Sequence, residues 1–322
     1  MEILQQLIVP LFFAIIIIIV ALFMVSSVAK RIASSLIESN LDEGLEIMVE
    51  DITETRHIDQ INAFNAINET YEPSPYDYAK RKKLIVLELN CDSEAEEIAT
   101  FSEEINTAIL LAKAEPLCTD VLVKINSGGG VVNGYGLVAS EIQRLKNHVN
   151  QLVTSVDLIA ASGGYLAACV GDKVIAAPFA TLGSISVVSE FPNFTKLLEK
   201  IGVNFKEYTT GENKRTISQY REISTSQEEE FERELQVTHK AFVEHVKSFR
   251  AINQNLESEL FSGRDYLGKQ ALEFGLIDEV MTSEELIDHY IDKNYKVIKI
   301  SSIERRRQKS ILSMISNYIQ GK

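Results

Sequence analysis

The sequence has little of what several large functional classes require. Its 322 residues include 32 Lys and Arg against 46 Asp and Glu, a formal net charge of −14, so the basic surface that nucleic-acid phosphates need is lacking. The three cysteines, Cys91, Cys118 and Cys169, are far apart and form no CxxC pair. Buried free thiols are therefore expected rather than a zinc site or a disulfide framework. We predict no metal, no cofactor and no nucleic-acid partner.

Familiar catalytic motifs are also missing. The sequence contains no GxSxG elbow, no HExxH pair and no GxxxxGK[ST] phosphate loop. Its five histidines lie mostly in charged, helical contexts, and none falls in a glycine-rich loop beside a candidate nucleophile: His57, His148, His239, His245 and His289. A serine nucleophile in this chain is therefore expected to use a base other than histidine.

The amino terminus holds one long apolar run. No charged residue occurs between Ile3 and Ala29, and such a run can cross a bilayer core of about 30 Å as a helix. No basic segment precedes it, and it exceeds the roughly 7–15 apolar residues usual in a signal peptide, although Ser27-Val28-Ala29 resembles a cleavage site. We predict an uncleaved transmembrane anchor over residues 1–29, with a cleaved signal peptide as the alternative.

Composition divides the rest of the chain into three parts. Residues 30–80 are acidic, and we predict an amphipathic helix followed by a linker around Pro73–Pro75. Residues 81–300 alternate short apolar strands with helical segments, which implies parallel pairing in an α/β fold. Residues 301–322 are basic and apolar, and this tail would suit either an anionic membrane surface or a partner subunit.

Within residues 81–300 the pattern predicts particular elements. The strands with the most apolar sequences are Leu84–Leu89, Asp120–Ile125 and Leu152–Val156. Further along, we predict a strand over Asn204–Thr209 and helices over Ser226–Arg250 and Ser262–Val280. Ser226 followed by Glu229 fits a capping box, and Gly275 is typical of the left-handed residue that ends a helix.

One small-residue-rich stretch, Leu158–Ser189, contains the strongest catalytic candidate. Ser162 follows a predicted strand and directly precedes Gly163 and Gly164, which open a small-residue helix. At such a position free backbone N–H groups and the helix dipole favour an oxyanion, and glycines let a substrate approach the backbone. Tight helix packing explains the same small residues equally well, so the residues alone leave both interpretations open.

Two other segments could complete such a site. Gly128, Gly129 and Gly130 form a strand-to-helix turn that can supply N–H donors to an oxyanion; a dinucleotide turn fits less well, because Asn133 stands in the third glycine's place. Lys214 lies in a polar loop after residue 209. Lysine acts as a general base only when neutral, which requires removal from water, and a solvated loop lysine is the simpler interpretation.

Four motifs in order resemble a known family. They are NSGGGVVNGYG at 126–136, ASGGYLAACVGDKVIAAPFATLGSISV at 161–187, TTGENKRT at 209–216 and SGRDYLGKQALEFGLIDEV at 262–280. Together they resemble the signal peptide peptidase A family, and most closely its single-domain, N-terminally anchored, SohB-like branch. The resemblance covers about Lys82 to Asp288.

That resemblance implies a fold and an activity. By it, Ser162 matches the family's nucleophile, Lys214 its general base in a Ser-Lys dyad, and Ser184 a serine that orients the lysine. The N–H of Gly163, with that of Gly129 or Gly130, would form the oxyanion hole. The implied fold is the Clp/crotonase type, with ββα units stacked into a superhelix, and residues 81–300 form the peptidase domain. The implied activity is that of a membrane-anchored serine endopeptidase cleaving small hydrophobic peptides, such as signal-peptide remnants, through an acyl-enzyme.

The oxyanion loop departs from the family pattern at one position. The family usually has Ser-Pro-Gly-Gly where this chain has Ser127-Gly128-Gly129-Gly130. Because glycine replaces the ring that presets φ, we expect a more flexible loop and a looser oxyanion geometry, but not the loss of activity.

The resemblance also implies an assembly and a compartment. Single-domain members assemble the dyad between neighbouring protomers, so we expect a homo-oligomeric ring. The family places the catalytic domain on the periplasmic side of the bacterial inner membrane, whereas Lys30 and Arg31 after the apolar run favour the cytoplasm; we follow the family. Two other classes remain as alternatives: a crotonase-like acyl-CoA enzyme, which would need neither Ser162 nor Lys214, and a catalytically silent membrane scaffold.

Overall fold

The structure, a computed structural model, describes residues 46–53, 82–91, 98–114, 118–211 and 214–303. From Ile47 to Ile303 the chain belongs to a single unit. The predicted anchor at 1–29, most of the acidic region at 30–80 and nearly all of the tail at 301–322 lie outside the described residues. Of the helices that are described, none is long and apolar enough to cross a membrane.

The chain alternates short strands with helices, as its pattern of apolar runs predicts. The strands are β1 (Glu46–Asp51), β2 (Lys83–Asn90), β3 (Thr119–Asn126), β4 (Gln151–Val156), β5 (Ile159–Ala161), β6 (Lys173–Ala176), β7 (Thr181–Gly183), β8 (Asp265–Leu267), β9 (Glu279–Val280) and β10 (Lys296–Ile303). The helices are α1 (Ile98–Ala114), α2 (Val132–Lys146), α3 (Gly163–Ala168), α4 (Thr195–Lys200), α5 (Thr225–Phe249), α6 (Glu257–Leu260), α7 (Gly268–Phe274) and α8 (Ser283–Asp292).

The main sheet is parallel. In the part of the chain that the structure describes, seven strands form it in the order β1-β10-β2-β3-β4-β6-β9. Each pairing from β10 across to β9 is parallel, as expected for strands joined by helical crossovers. The predicted α/β class with a parallel sheet is therefore confirmed.

Alternate residues of the central strands face two separate cores. In β2, Ile85, Leu87 and Leu89 enter the larger core, which α1, α2, α3 and α5 help to build. Leu84 and Val86 face the opposite way, into a smaller core covered by α8. Burial on both faces explains why these strands read as nearly continuous apolar runs in the sequence.

A second, three-stranded sheet brings separate loops to one place. Its order is β5-β7-β8, with β5 and β7 parallel and β7 and β8 antiparallel. The segment after β3 joins this sheet, because the N–H of Ser127 donates to the carbonyl of Ile159 at 2.9 Å and the N–H of Ala161 donates back to Ser127 at 3.0 Å. The ends of β3, β5 and β7 therefore lie together.

The predicted strand over Asn204–Thr209 is wrong, because these residues join no sheet in the structure. Their alternation has another cause. The ring of Phe205 packs on Tyr220 with centroids 5.3 Å apart, and Glu207 forms an ion pair with Arg221 at 3.2 Å. One side of the segment thus contacts neighbouring loop residues without any strand partner.

Several predicted helix bounds also need correction. The long helix begins at Thr225 with Ser224 as its N-cap, and its capping box uses Gln227, so the box predicted from Ser226 and Glu229 is wrong.

Of the helix predicted over Ser262–Val280, only Gly268–Phe274 is helical, because residues 265–267 pair with β7. Its predicted end is confirmed: Gly275 follows with φ 79°. In the region predicted to be helical before residue 80, Glu46–Asp51 is a strand.

The cysteines differ in their surroundings. None of the three forms a disulfide, and Cys91 and Cys169 are buried as predicted, whereas Cys118 is exposed. Burial raises the pKa of the Cys169 thiol to about 12, despite the nearby charge of Arg250. At neutral pH this thiol therefore stays protonated and acts as a small apolar side chain.

Candidate active site

Ser162 stands at a strained turn between β5 and α3. Its backbone has φ 50° and ψ −120°, a combination that residues other than glycine rarely adopt. Such a conformation costs about 1–3 kcal/mol and persists only when its surroundings enforce it. Here the N–H of Ser162 donates to the carbonyl of Gly183 at 2.8 Å, and its own carbonyl accepts the N–H groups of Tyr165 and Leu166, each at 3.0 Å.

This turn has the mechanics of a nucleophile elbow without its sequence. In the GxSxG elbow a strained strand-to-helix turn holds the serine hydroxyl clear of the sheet. Ser162 follows β5 and precedes α3 in the same way, although Ala160 stands where that motif has its first glycine. The absence of GxSxG therefore says nothing against a nucleophile here, and only the backbone angles show the likeness.

The two glycines after Ser162 are required by packing. A Cβ on Gly163 would lie within 3.0 Å of the ring of Tyr135, and one on Gly164 equally close to the carbonyl of Ser127. These contacts seat α3 against the segment that follows β3. The packing interpretation of Gly163 and Gly164 is confirmed, and the same packing brings backbone groups to Ser162, as the catalytic interpretation requires.

The glycine loop after β3 packs closely against Ser162. Gly129 has φ 88°, and a Cβ there would lie 2.7 Å from the nitrogen of Gly163 and 2.8 Å from the Cβ of Ser162. A glycine is therefore needed at this position for the loop to approach so closely. The approach brings the loop backbone and the start of α3 to the same side of Ser162.

The backbone N–H groups around Ser162 are not equally available. The N–H of Gly129 donates to the hydroxyl of Ser127 at 3.1 Å. Those of Gly130 and Gly163, by contrast, have no acceptor among the described residues. Of the two loop glycines predicted as donors, the geometry thus favours Gly130 and directs the N–H of Gly129 elsewhere.

Ser184 lies beside Ser162 on the neighbouring strand. Ala161 and Gly183 are register partners in β5 and β7, and each is followed by one of the two serines. Ser184 also has a positive φ, 52°, and its N–H donates to the carbonyl of Arg264 at 2.8 Å. Two serines with strained backbones therefore stand side by side at the end of the small sheet.

Lys214 is placed differently from the other candidates. It is exposed in a turn, where its N–H donates to the carbonyl of Gly211 at 3.3 Å. The same loop is tied by ion pairs from Arg215 and Arg221 to Glu207, at 3.3 and 3.2 Å. Within the described chain, Ser162, Ser184 and the three glycines come together, whereas Lys214 does not line the groove beside Ser162.

A groove of about 300 Å³ opens beside Ser162. Most of its walls are small or apolar: Gly130, Val132, Tyr135, Gly136, Ala139, Ser140, Gln143, Gly163, Leu166, Ser186, Val187, Val188, Thr238, Ala241, Phe242 and His245. The lining comes from the glycine loop, α2, the start of α3, α5 and the extended segment after Ser184. A groove of this kind suits an apolar side chain more than a charged one.

His245 is a groove residue that sequence reasoning missed. Its Nε2 lies 3.0 Å from the carbonyl of Leu166, which can only accept, so this nitrogen carries the proton. Burial lowers the pKa of His245, and the bond to Leu166 opposes that shift. The signal in the sequence was its spacing of four from Ala241, which puts both on one face of α5.

A strained serine, two available N–H groups and an apolar groove form an arrangement that can attack a carbonyl group and stabilise the resulting oxyanion. Comparison with known proteins identifies the family. Residues 144–296 match the model of peptidase family S49, and residues 3–142 match that of the peptidase family S49 N-terminal region. The chain belongs to peptidase family S49.

Individual relatives agree with this assignment. The chain is 39% identical over 227 residues to the probable protease SohB of Buchnera aphidicola subsp. Acyrthosiphon pisum, covering 70% of this chain and 66% of that protein. It is 36% identical over 247 residues to the probable protease SohB of Haemophilus influenzae, covering 74% and 69%. The putative signal peptide peptidase SppA of Enterococcus faecium is 31% identical over 248 residues, with 75% and 72% covered. The match covers slightly less than two thirds of the length of the first relative and slightly more than two thirds of the other two.

Proposed function

We propose that this chain is a serine endopeptidase that cleaves small hydrophobic peptides through an acyl-enzyme on Ser162. The observation that carries the proposal is the strained turn at Ser162, which packs against Gly129 and lines one groove together with Gly130 and Gly163. Backbone donors fixed before the reaction stabilise a developing oxyanion strongly, since they need no reorganisation when charge appears.

The chemistry follows from this placement. The hydroxyl oxygen of Ser162 attacks the scissile carbonyl, and the N–H groups of Gly130 and Gly163 hold the oxyanion. The proton of Ser162 passes to Lys214, which then protonates the leaving amine. In the second half of the reaction Lys214 takes a proton from the attacking water, the ester bond to Ser162 breaks, and Lys214 returns the proton to the Ser162 oxygen. Ser184 orients the lysine in both halves.

The exposed position of Lys214 fits a dyad completed by assembly. We propose a homo-oligomeric ring in which Lys214 of one protomer reaches Ser162 of its neighbour. The segment before Lys214 supports this, because it exposes apolar side chains: Val203 at 47%, Phe205 at 41% and Tyr208 at 88%. Exposed apolar surface of this kind is what a subunit contact would cover.

The groove supports the proposed substrate class. Val132 and Ala139 from α2 and Ala241 and Phe242 from α5 present apolar surface next to Ser162. A substrate side chain in this groove would be small and apolar, as in the remnants of signal peptides. The name of the Enterococcus faecium relative points the same way.

The proposal includes an architecture and a location. The order β4-β5-α3, followed by β6-β7, supports the ββα units of a Clp/crotonase-type superhelix. We further propose that residues 1–29 anchor the chain in the bacterial inner membrane with the catalytic domain on the periplasmic side. Protease accessibility of α5 in intact spheroplasts tests that orientation, because a cytoplasmic domain would stay protected.

A fluorophosphonate probe on the full-length protein tests the mechanism. We expect covalent labelling of the wild type, none in Ser162→Ala, and none in Lys214→Ala while that variant remains folded and oligomeric. Ser186→Ala is the matched control, because Ser186 lines the same groove and should label normally. An unlabelled wild type, or a labelled Ser162→Ala, would rule out the nucleophile. Full labelling of Lys214→Ala would remove Lys214 from the mechanism.

The same variants separate the other functional classes. A crotonase-like acyl-CoA enzyme would bind CoA and keep its activity in Ser162→Ala. A silent scaffold would neither label nor turn over any substrate. The backbone strain at Ser162 favours the peptidase over both, since neither alternative needs a strained serine.

A further inference from the structure

We propose that Tyr135, acting through Ser127, is a positioning residue that holds the glycine loop in the conformation required for acylation. This inference rests on the proposed peptidase function. Tyr135 is completely buried and belongs to α2, outside the loop that supplies the N–H donor. Its side chain nevertheless reaches both halves of the oxyanion site.

The hydroxyl of Tyr135 reaches the loop through a chain of hydrogen bonds. Ser127 Oγ accepts the N–H of Gly129 at 3.1 Å and lies 2.5 Å from Tyr135 Oη. Tyr135 Oη donates to the carbonyl of Cys91 at 3.3 Å. Either hydroxyl can donate in the contact between Ser127 and Tyr135. In both cases the chain links Gly129 through Ser127 and Tyr135 to the end of β2.

The first bond of this chain, from the N–H of Gly129 to Ser127, decides where the loop peptide points. By accepting the N–H of Gly129, Ser127 turns that group away from the substrate. The next N–H along the loop, that of Gly130, is left without an acceptor among the described residues. If the hydroxyl chain is lost, the peptide that carries the Gly129 N–H is no longer held, and the adjacent peptide, which carries the Gly130 donor, loses a fixed neighbour.

The ring of Tyr135 supports the other donor. A Cβ on Gly163 would overlap the ring, so the ring lies directly against the backbone whose N–H faces the oxyanion. One side chain thus contacts the start of α3 through its ring and the loop through its hydroxyl. Positions this close to an oxyanion matter, because a misplacement of about 1 Å in a catalytic group can lower the rate roughly 100-fold.

The glycine at position 128 makes this support more important. Three consecutive glycines leave the loop backbone with many accessible conformations in the absence of restraints. A Cβ on Gly128 would meet only Ile159 Cδ1 at 4.0 Å, so neighbouring side chains do not restrain the loop there. The hydrogen bond from Gly129 to Ser127 provides a restraint that the backbone itself does not.

The test compares Tyr135→Phe with Tyr165→Phe in the full-length protein. Both tyrosines are completely buried, and the hydroxyl of Tyr165 donates to the carbonyl of Leu276 at 2.7 Å without touching the glycine loop. Tyr135→Phe keeps the ring against Gly163 and removes only the hydroxyl. We expect it to lower the fluorophosphonate labelling rate and the kcat for a peptide substrate roughly 10- to 100-fold, with little change in KM.

Tyr165→Phe should lower the Tm about as much as Tyr135→Phe does. It should leave kcat within about 2-fold of the wild type, because the hydrogen bond that it loses supports the fold alone. Ser127→Ala is the second variant, and it should reproduce the kcat loss of Tyr135→Phe. The double variant Ser127→Ala/Tyr135→Phe should be no slower than the slower single variant, because both changes break one chain.

The outcomes distinguish this inference from the function on which it rests. If the wild type is not labelled, the peptidase proposal fails and this inference fails with it. If the wild type is labelled but Tyr135→Phe and Ser127→Ala react at its rate, only this inference is overturned. It is also overturned if Tyr165→Phe loses as much kcat as Tyr135→Phe, or if the double variant shows fully additive losses. Should Tyr135→Phe fail to fold, Ser127→Ala decides the result alone.

Discussion

Ser162 and Ser184 share a backbone conformation that serine seldom adopts. Their φ angles are 50° and 52°, and each serine follows one member of a register pair between β5 and β7. The strain is held by hydrogen bonds from both serines: the N–H of Ser162 donates to Gly183 and that of Ser184 to Arg264. The small sheet therefore stabilises two neighbouring residues in conformations that they would not adopt alone.

Relieving this strain at Ser162 should stabilise the protein. Glycine tolerates positive φ, so we expect Ser162→Gly to be more stable to urea than Ser162→Ala by about 1 kcal/mol. Ser140, on α2, is the control: there glycine should be less stable than alanine by about 1 kcal/mol, because a helix interior disfavours glycine. The same sign at both positions would mean that Ser162 is not strained.

His245 should make stability depend on pH. Burial lowers the pKa of His245 in the folded protein, so the folded state binds fewer protons than the unfolded state. Stability should be fully present above the ordinary value of about 6.5 and fall as the pH decreases below it. We expect the Tm of the wild type to decrease more between pH 7 and pH 5 than that of His245→Gln. Parallel curves would contradict this.

At the level of whole elements, the best-predicted strands are those buried on both sides. The apolar runs over Leu84–Leu89 and Asp120–Ile125 predict β2 and β3 to within one residue at each end. In an extended strand, alternate side chains of these runs are buried in the two cores on opposite faces of the sheet, so the apolar sequence favours a strand. Local sequence is sufficient there.

Short elements depend on partners far away in the sequence. β5, β7 and β8 have three residues each, too few for a periodic pattern, and they exist because they pair with one another. β8 illustrates the failure: its sequence has helical spacing, but Tyr266 pairs with Leu182 of β7. Such strands are decided by tertiary contacts that no local window contains.

The start of α5 offers a direct comparison of the predicted and observed caps. Ser224 Oγ accepts the N–H of Gln227, and Gln227 Oε1 accepts the N–H of Ser224. We expect Ser224→Ala to lower the free energy of unfolding by about 1 kcal/mol and Ser226→Ala to lower it clearly less. Urea titrations of both variants measure this difference, and a larger loss in Ser226→Ala would favour the cap predicted from sequence.

At the scale of the whole molecule, the ion pair between Arg250 and Asp278 joins the end of α5 to the main sheet. Arg250 is only 8% exposed and donates to Asp278 Oδ1 at 2.7 Å, and the N–H of Val174 in β6 donates to Asp278 Oδ2 at 2.7 Å. Burial alone would raise the pKa of Asp278, but these hydrogen bonds hold it below its ordinary value. The two partners differ in exposure, since the side chain of Asp278 is 40% exposed.

That difference predicts an asymmetry between variants. Asp278→Asn leaves a buried guanidinium without its counter-charge, which should lower the free energy of unfolding by about 1–3 kcal/mol. Arg250→Met leaves a carboxylate that water can reach, so its effect should be smaller. Urea unfolding at pH 7 compares the two variants. An equal or larger decrease in the free energy of unfolding for Arg250→Met would contradict the predicted asymmetry.

The site as a whole shows what a sequence can and cannot indicate. The order of motifs points to Ser162, Ser184 and the glycines, and the fold gathers these residues at one end of the small sheet. The exposure of Lys214 and the groove position of His245 depend on how distant elements pack. The direction of the Gly129 N–H depends on a hydroxyl that no spacing reveals, because residue types do not encode where a peptide points.

The glycines of the site also fall into two groups with different evolutionary freedom. Gly129, Gly163 and Gly164 have no room for a methyl group, so almost every missense mutation in their codons would displace the backbone around Ser162. Gly136 lines the groove, and a Cβ there would meet nothing within 4 Å. Single small substitutions at positions such as Gly136 can therefore reshape the groove while the backbone around Ser162 stays fixed. For the proposed peptidase, new substrate preferences could then arise without inactive intermediates.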